Sequence, residues 1–189
     1  MNQMFGIKHA VHYQVEAFTP RVGMRKLVHL IHSRGKRAPS WAMRLKWVDE
    51  FDNLVVNVGL DDSLTQHLKG AAYTAAFYVG LTDGTPTVAA ADTMAGHAGW
   101  VEVEDYDEAV RQTLTLGAVA AQSVDNSAAP AVFTIDADAT TIGGAFVTTD
   151  NTKGGAGGTL YGAGAFTAGD KLLDDDDVLN VTVTCTASA

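Results

Sequence analysis

Residues 143–184 read GGAFVTTDNTKGGAGGTLYGAGAFTAGDKLLDDDDVLNVTVT, a run of glycines around a lysine, four consecutive aspartates, then strict apolar–polar alternation. One reading is a phosphate loop beside a metal-binding acidic cluster. The other is a series of turns and strands. A phosphate loop needs G-x-x-x-x-G-K-[ST] opening a helix, so that backbone N–H groups and the helix dipole meet the phosphates. Lys153 instead precedes its glycines, and the strand-like TLYG follows them. A G-x-G-x-x-G fingerprint fails for the same lack of a helix. The segment therefore predicts a hairpin connection that uses glycine for positive φ. TIGGAF and GTLYGAGAF read as strands whose glycines permit close approach or bulges. Asp174–Asp177 lack the ligand spacing of a calcium loop, and adjacent carboxylates on an extended chain alternate sides. They read as a solvated turn before the closing strand VLNVTVTCTAS.

The same punctuation extends back to residue 54. NLVVNVG, YTAAFYVGL (73–81), WVEVE (100–104), AVRQTLTLGAV (109–119) and AVFTI (131–135) are short and rich in β-branched or aromatic residues, and Asp, Asn, Gly and Pro separate them. DADATT, with Asp136 and Asp138, reads as a further hairpin tip. GLDDSLTQHLKG is the one helix expected, capped by Asp61 or Asp62 and closed by Gly70, with Leu64 and Leu68 sharing a face. With no βαβ repetition, the fold class is all-β: an antiparallel β-sandwich, jelly-roll-like, of about eight strands, with one short helix and an N-terminal arm. The expected division is a basic arm or hairpin over 1–50, with MRLKWVDEF opening a strand, and the sandwich over 51–189.

Charge sets those parts against each other. Residues 1–50 carry nine basic and three acidic residues, while the remaining 139 carry four basic and nineteen acidic, within a net −9. Such asymmetry points to different partners for the two parts, or to contact between copies. A dedicated nucleic-acid binder is disfavoured, because the acidic body would repel phosphates and no recognised nucleic-acid motif is present. No apolar run reaches the roughly 20 residues of a membrane helix, and the first residues lack secretory-signal architecture. One cysteine, Cys185, excludes an internal disulfide framework and a cysteine zinc site; in VTVTCTAS it reads as a strand residue rather than a nucleophile.

No catalytic, cofactor or metal residues are assigned. His9 with His12 and His29 with His32 form two H-x-x-H pairs, which on a helix would share a face. Neither pair has a carboxylate or cysteine at ligand spacing, so packing or interface roles are expected. His97 and Asp92 lack the nucleophile context of a hydrolase, and the chain is read as a non-enzyme.

The stretches YVGL (78–81), ADTM…HAGWVEV (91–103), YDEAVRQ (106–112), SVDNSA (123–128), TIGGAF (141–146), GTLYG and LNVTVT together resemble a family of tailed-bacteriophage virion proteins, over about residues 54–188. The resemblance implies a small structural component of the particle, assembled in the cytoplasm of a host bacterium and resident in the virion. It fits a minor capsid protein, that is a decoration or cement protein stabilising the head shell. The alternative is a tail, collar or fibre component. Partners would be the major capsid protein, further copies of the chain, or tail and collar proteins, with no cofactor and no membrane. The basic segment lies outside the matched region. Its residues Arg21, Arg25, Lys26, Arg34, Lys36, Arg37 and Trp41 are the expected partner interface.

Overall fold

Strict alternation in the first and last thirds of the chain builds one sheet. Val11, Tyr13, Val15 and Ala17 recur at every second position of β1 (Lys8–Pro20), as do Leu179, Val181 and Val183 in β13 (Val178–Ser188). The two strands pair antiparallel from Lys8↔Ser188 to Phe18↔Val178, which points both apolar rows to one side. β2 (Met43–Asp52) flanks β1, while β7 (Ser123–Asp125) and β8 (Ala131–Thr134) lie end to end along the far edge of β13. The computed structural model describes residues 8–68 and 76–188.

The second sheet has the order β3 (Leu54–Val55), β11 (Leu160–Ala165), β10 (Gly144–Thr148), β4 (Tyr78–Asp83) and β5 (Val101–Glu102), with β6 (Gln112–Thr113) also on β4. β9 (Thr140–Ile142) pairs with β12 (Lys171–Leu173) apart from both. Among the described residues every pairing is antiparallel, and the all-β sandwich expected from the sequence is the observed fold. Strands among the described residues number thirteen rather than about eight, because several are only two or three residues long.

The core lies between the sheets. Tyr13 stacks on Phe51 at 4.8 Å, Phe166 meets Phe51 edge-on at 5.3 Å, and Phe133, Leu179, Val181, Val79 and Leu81 fill the space beside them. Burying each large side chain contributes about 1.5–3 kcal/mol.

The outer faces are covered as well. A helix that the sequence did not announce, α1 (Arg25–His32), lies in the β1–β2 connection. With Ala38, Ala42 and Met43 it packs on Phe18, Val132 and Val178, the outward residues of the first sheet. α2 (Asn57–Leu68) contacts β11 on the second sheet, where Val56, Trp100, Phe146 and Leu160 form a further cluster. Phe146 lies flat over Gly80 of the neighbouring strand, where a Cβ would stand 2.2 Å from its ring. Only glycine fits there.

Several expectations change. The first 50 residues are not a separate arm: β1 is an interior strand of the first sheet, and a boundary at 50 would cut β2. The hairpin alternative fits better, since β1 and β2 pair antiparallel with α1 in their connection. α2 begins four residues before the expected cap, so Asp61 and Asp62 sit within it, and Asp62 accepts a hydrogen bond from the Tyr161 hydroxyl at 2.5 Å. Gly70, and the start of the strand expected over 73–81, lie outside the described residues. Residues 136–139 are a crossover and not a hairpin tip, because β8 pairs with β13 and β9 with β12. The β10–β11 hairpin is as expected, with Gly154 and Gly158 at φ 70° and 79° and a bulge at Val147/Thr148.

Candidate functional site

Pro20 pairs with Met43, so the connection 21–42 leaves and rejoins the sheet at one end. The β13 residue Val178 and the β8 residue Thr134 pair at that same end, which brings the aspartate turn 174–177 and the 135–139 loop there too. The basic connection and part of the acidic body therefore meet within one chain.

Beside the connection, on the outer face of the first sheet, runs a groove of about 400 Å³. Phe18, Met43, Leu45 and Val178 give it apolar walls, and Arg21, Arg37 and Arg44 line it with cations. Arg21 is fixed by donating Nε to the Met43 carbonyl at 2.9 Å, and Arg37 donates to Asn180 Oδ1 at 3.3 Å. The Arg44 side chain forms no hydrogen bond or ion pair among the described residues. Large apolar side chains of the connection and of β2 stand in solvent: Val22 is 96% exposed, Trp41 61% and the groove-lining Leu45 51%. An apolar strip ringed by guanidinium groups suits an extended acidic segment, since Arg forks bind carboxylates while the strip buries hydrocarbon.

The expected interface residues divide. Arg21 and Arg37 line the groove and Trp41 stands exposed in the adjoining turn. Lys26, Arg34 and Lys36 are exposed elsewhere on the connection. Arg25 is used internally, donating to Asp138 Oδ1 at 2.8 Å and to the Asp175 carbonyl at 3.2 Å. Arg44 and Leu45 were missed. Their signal was the polar-and-apolar start of MRLKWVDEF, which alternation alone assigns to a strand without showing which side is free.

The aspartate tetrad is not a solvated turn. Asp176 and Asp177 are buried, at 2% and 0% exposure. A bulge opposite Ala17/Phe18 leaves Lys46 unpaired in β2, and its Nζ reaches Asp177 Oδ2 at 2.7 Å. His32 Nδ1 lies 3.0 Å from Asp176 Oδ1, and His29 Nδ1 lies 3.3 Å from Asp176 Oδ2. The i, i+3 histidines of α1 thus share a face, and their carboxylates come from a turn about 145 residues downstream, where local spacing cannot reveal them. Asp175 titrates above its usual range, first through burial and then through the charge of Asp176, with His29 and Arg25 opposing.

The remaining sequence candidates serve the fold. Lys153 donates to the carbonyls of Tyr106 at 2.8 Å and Glu104 at 3.1 Å, with its ammonium 4.1 Å from the Tyr106 ring centre. His97 stacks on Trp100 at 3.6 Å, and Asp92 accepts the Ala89 N–H. His12 pairs with Asp52 on the surface, and the side chain of His9 lies outside the described residues. Cys185 sits half-buried in β13, and burial pushes its thiol up. No helix among the described residues is long and apolar enough to cross a membrane. Compared with known proteins, the chain matches no family model, no curated protein and no solved structure.

Proposed function

We propose that the chain is a structural subunit of a tailed-phage virion, a decoration or cement protein that fastens to the head shell through the Arg21–Arg37–Arg44 groove. The single observation that carries the docking mode is that groove: three guanidinium groups beside apolar walls, with Leu45 at its rim and Trp41 in the adjoining turn left exposed. Contiguous exposed apolar surface rimmed by charge marks protein contact sites. The occupant is an acidic, partly apolar segment of the shell protein or of a sister copy. The chain's own body carries the required charge, since residues 51–189 hold nineteen of its acidic groups. The sandwich then spans joints between shell subunits, and its antiparallel framework supplies a rigid block.

The test reverses charge and leaves the fold alone. Removing residues 1–50 would take away β1 and most of β2, so loss of binding would mean nothing. The variant R21E/R37E/R44E changes exposed or groove-lining side chains only. Its occupancy on purified particles, measured by gel densitometry after sedimentation, is expected to fall at least tenfold while its circular dichroism stays native. Undiminished occupancy would overturn the docking mode. Electron microscopy of decorated particles locates the subunit, and density on the tail or collar would overturn the head assignment.

A further inference from the structure

Two motifs that carried nothing in isolation, the H-x-x-H of α1 and the tetrad Asp174–Asp177, face each other across the outer edge of the first sheet. We propose that His29, Asp175 and Asp176 form a binding site for a divalent transition metal of the zinc class, with His32 as the residue that positions Asp176. This site is independent of the docking groove.

Distances support ligation. Bonds of about 2.0–2.2 Å in a tetrahedron hold neighbouring ligand atoms about 3.3–3.6 Å apart. His29 Nδ1 is 3.3 Å from Asp176 Oδ2 and 3.8 Å from Asp175 Oδ2, and one ligand atom of each residue lies within 4.8 Å of the others. Drawing the widest separation in to a tetrahedral edge takes a change of about 1.2 Å, shared between ligand atoms, and leaves a fourth position for water.

Asp176 supplies an independent sign. Its side chain is 2% exposed, yet Oδ2 has no hydrogen-bond partner. The nearby His29 nitrogen lies within ion-pair distance without hydrogen-bond alignment. A buried carboxylate oxygen left this way is costly unless it is paired or coordinates a metal. The other oxygen faces His32 Nδ1 at 3.0 Å, which fixes the carboxylate's orientation as outer partners of metal ligands do. Asp176 is further held by donating its backbone N–H to the Ile135 carbonyl at 2.9 Å. The Asp175 N–H donates to Asp138 Oδ1 at 3.2 Å, and Arg25 bridges that carboxylate and the Asp175 carbonyl. His29 and Asp175 are partly open to solvent, which gives an ion access.

The donor set selects the ion. Calcium and magnesium prefer oxygen ligands alone, and calcium takes six to eight of them. One imidazole with two carboxylates suits zinc, cobalt or manganese. Two adjacent, partly buried carboxylates repel each other, and a dication offsets that repulsion.

The experiment titrates ZnCl₂, and separately CoCl₂, into the untagged full chain after chelator treatment. Calorimetry reads zinc affinity, and visible absorption reads cobalt geometry. One saturable equivalent is expected, with the strong visible bands of a tetrahedral nitrogen–oxygen site. His29→Gln and Asp175→Asn change an exposed and a half-buried side chain and should weaken binding at least tenfold, with unchanged melting in chelator. His32→Gln should weaken it about 10–100-fold, the range for lost outer partners. His12→Gln, at the separate His12–Asp52 surface pair, should leave affinity unchanged. Absence of saturable binding by the wild-type chain overturns the proposal, as does equal binding by His29→Gln.

Discussion

Arg111 is the largest wholly enclosed polar side chain, and its environment shows what one buried charge requires. Glu102 accepts from Nε at 2.8 Å and Nη2 at 2.7 Å, while the carbonyls of Asp150 and Gly155 take further donors at 3.0 and 2.6 Å. The guanidinium also faces the Phe146 ring at 5.3 Å, and Gly154 donates its N–H to Glu102. The glycine loop that looked like a phosphate cradle thus wraps an internal ion pair. Removing one partner of a buried pair costs about 3–5 kcal/mol, whereas replacing both with apolar groups is often near neutral. Arg111→Met should destabilise by that amount in urea unfolding, and R111M/E102L by clearly less than the two single costs summed; simple additivity would refute the coupling. Glu108 offers a pH test. Burial raises its carboxyl above the usual range, only partly offset by the N–H of Thr134. A carboxyl raised in the fold contributes stability below its unfolded range near pH 4, and that contribution is lost as pH rises through the folded value. Glu108→Gln stays neutral, so its stability relative to wild type should increase between pH 4 and pH 7, read as the shift in urea midpoint. A constant difference would show that Glu108 is not desolvated. Neither role was legible: a buried Arg and a loop Arg look alike until the loop 150–155 is folded over it.

Among the elements, β1 was legible and α1 was not. Apolar residues at 11, 13, 15 and 17 give the period of two that marks a half-buried strand, but the cation count of residues 1–50 drew them into an arm. α1 has eight residues, no acidic first turn and no side-chain cap, so the helical signals that sequence carries are missing. It forms because Val28 and His32 pack against the outward row of the first sheet, a tertiary cause. Short strands such as β5 and β6 exist only because the longer β4 offers its edge. Of the glycine-rich strands, GTLYGAGAF is read correctly as β11, whereas TIGGAF divides at Gly143 into β9 and β10, which lie in different sheets. If β1 is integral, deleting residues 1–20 exposes the inner edges of both β13 and β2 and uncovers Leu179, Val181 and Phe51. That chain is expected to give no cooperative melting transition and to bind a hydrophobic dye. A native-like transition would restore the arm.

For the whole molecule, the fold class was readable because alternation and turn residues are local, whereas the groove proposed for docking was not, since Phe18, Arg37, Arg44 and Val178 come from separate segments. Part of the charge division noticed in the sequence closes within the chain, through Arg25–Asp138 and Lys46–Asp177. In the docking mode proposed above the partner would take the groove, and the relative size of its two forces makes a kinetic prediction. An exposed ion pair is worth about 0.2–1 kcal/mol, so three arginines supply at most about 3 kcal/mol. Burying Trp41 and Leu45 supplies about 1.5–3 kcal/mol each. Apolar burial should therefore set how long the subunit stays, while the arginines guide its approach and register. Raising salt from about 0.1 M to 1 M shortens the screening length from roughly 10 to 3 Å, and should slow association with isolated shell subunits several-fold while barely changing dissociation. Trp41→Ala and Leu45→Ala should do the opposite, each accelerating dissociation about tenfold at unchanged association rate. Interferometry with the shell protein immobilised reads both rates. Dissociation that speeds up with salt, with both apolar variants silent, would mean that the arginines themselves form the clamp and that the apolar strip is not buried.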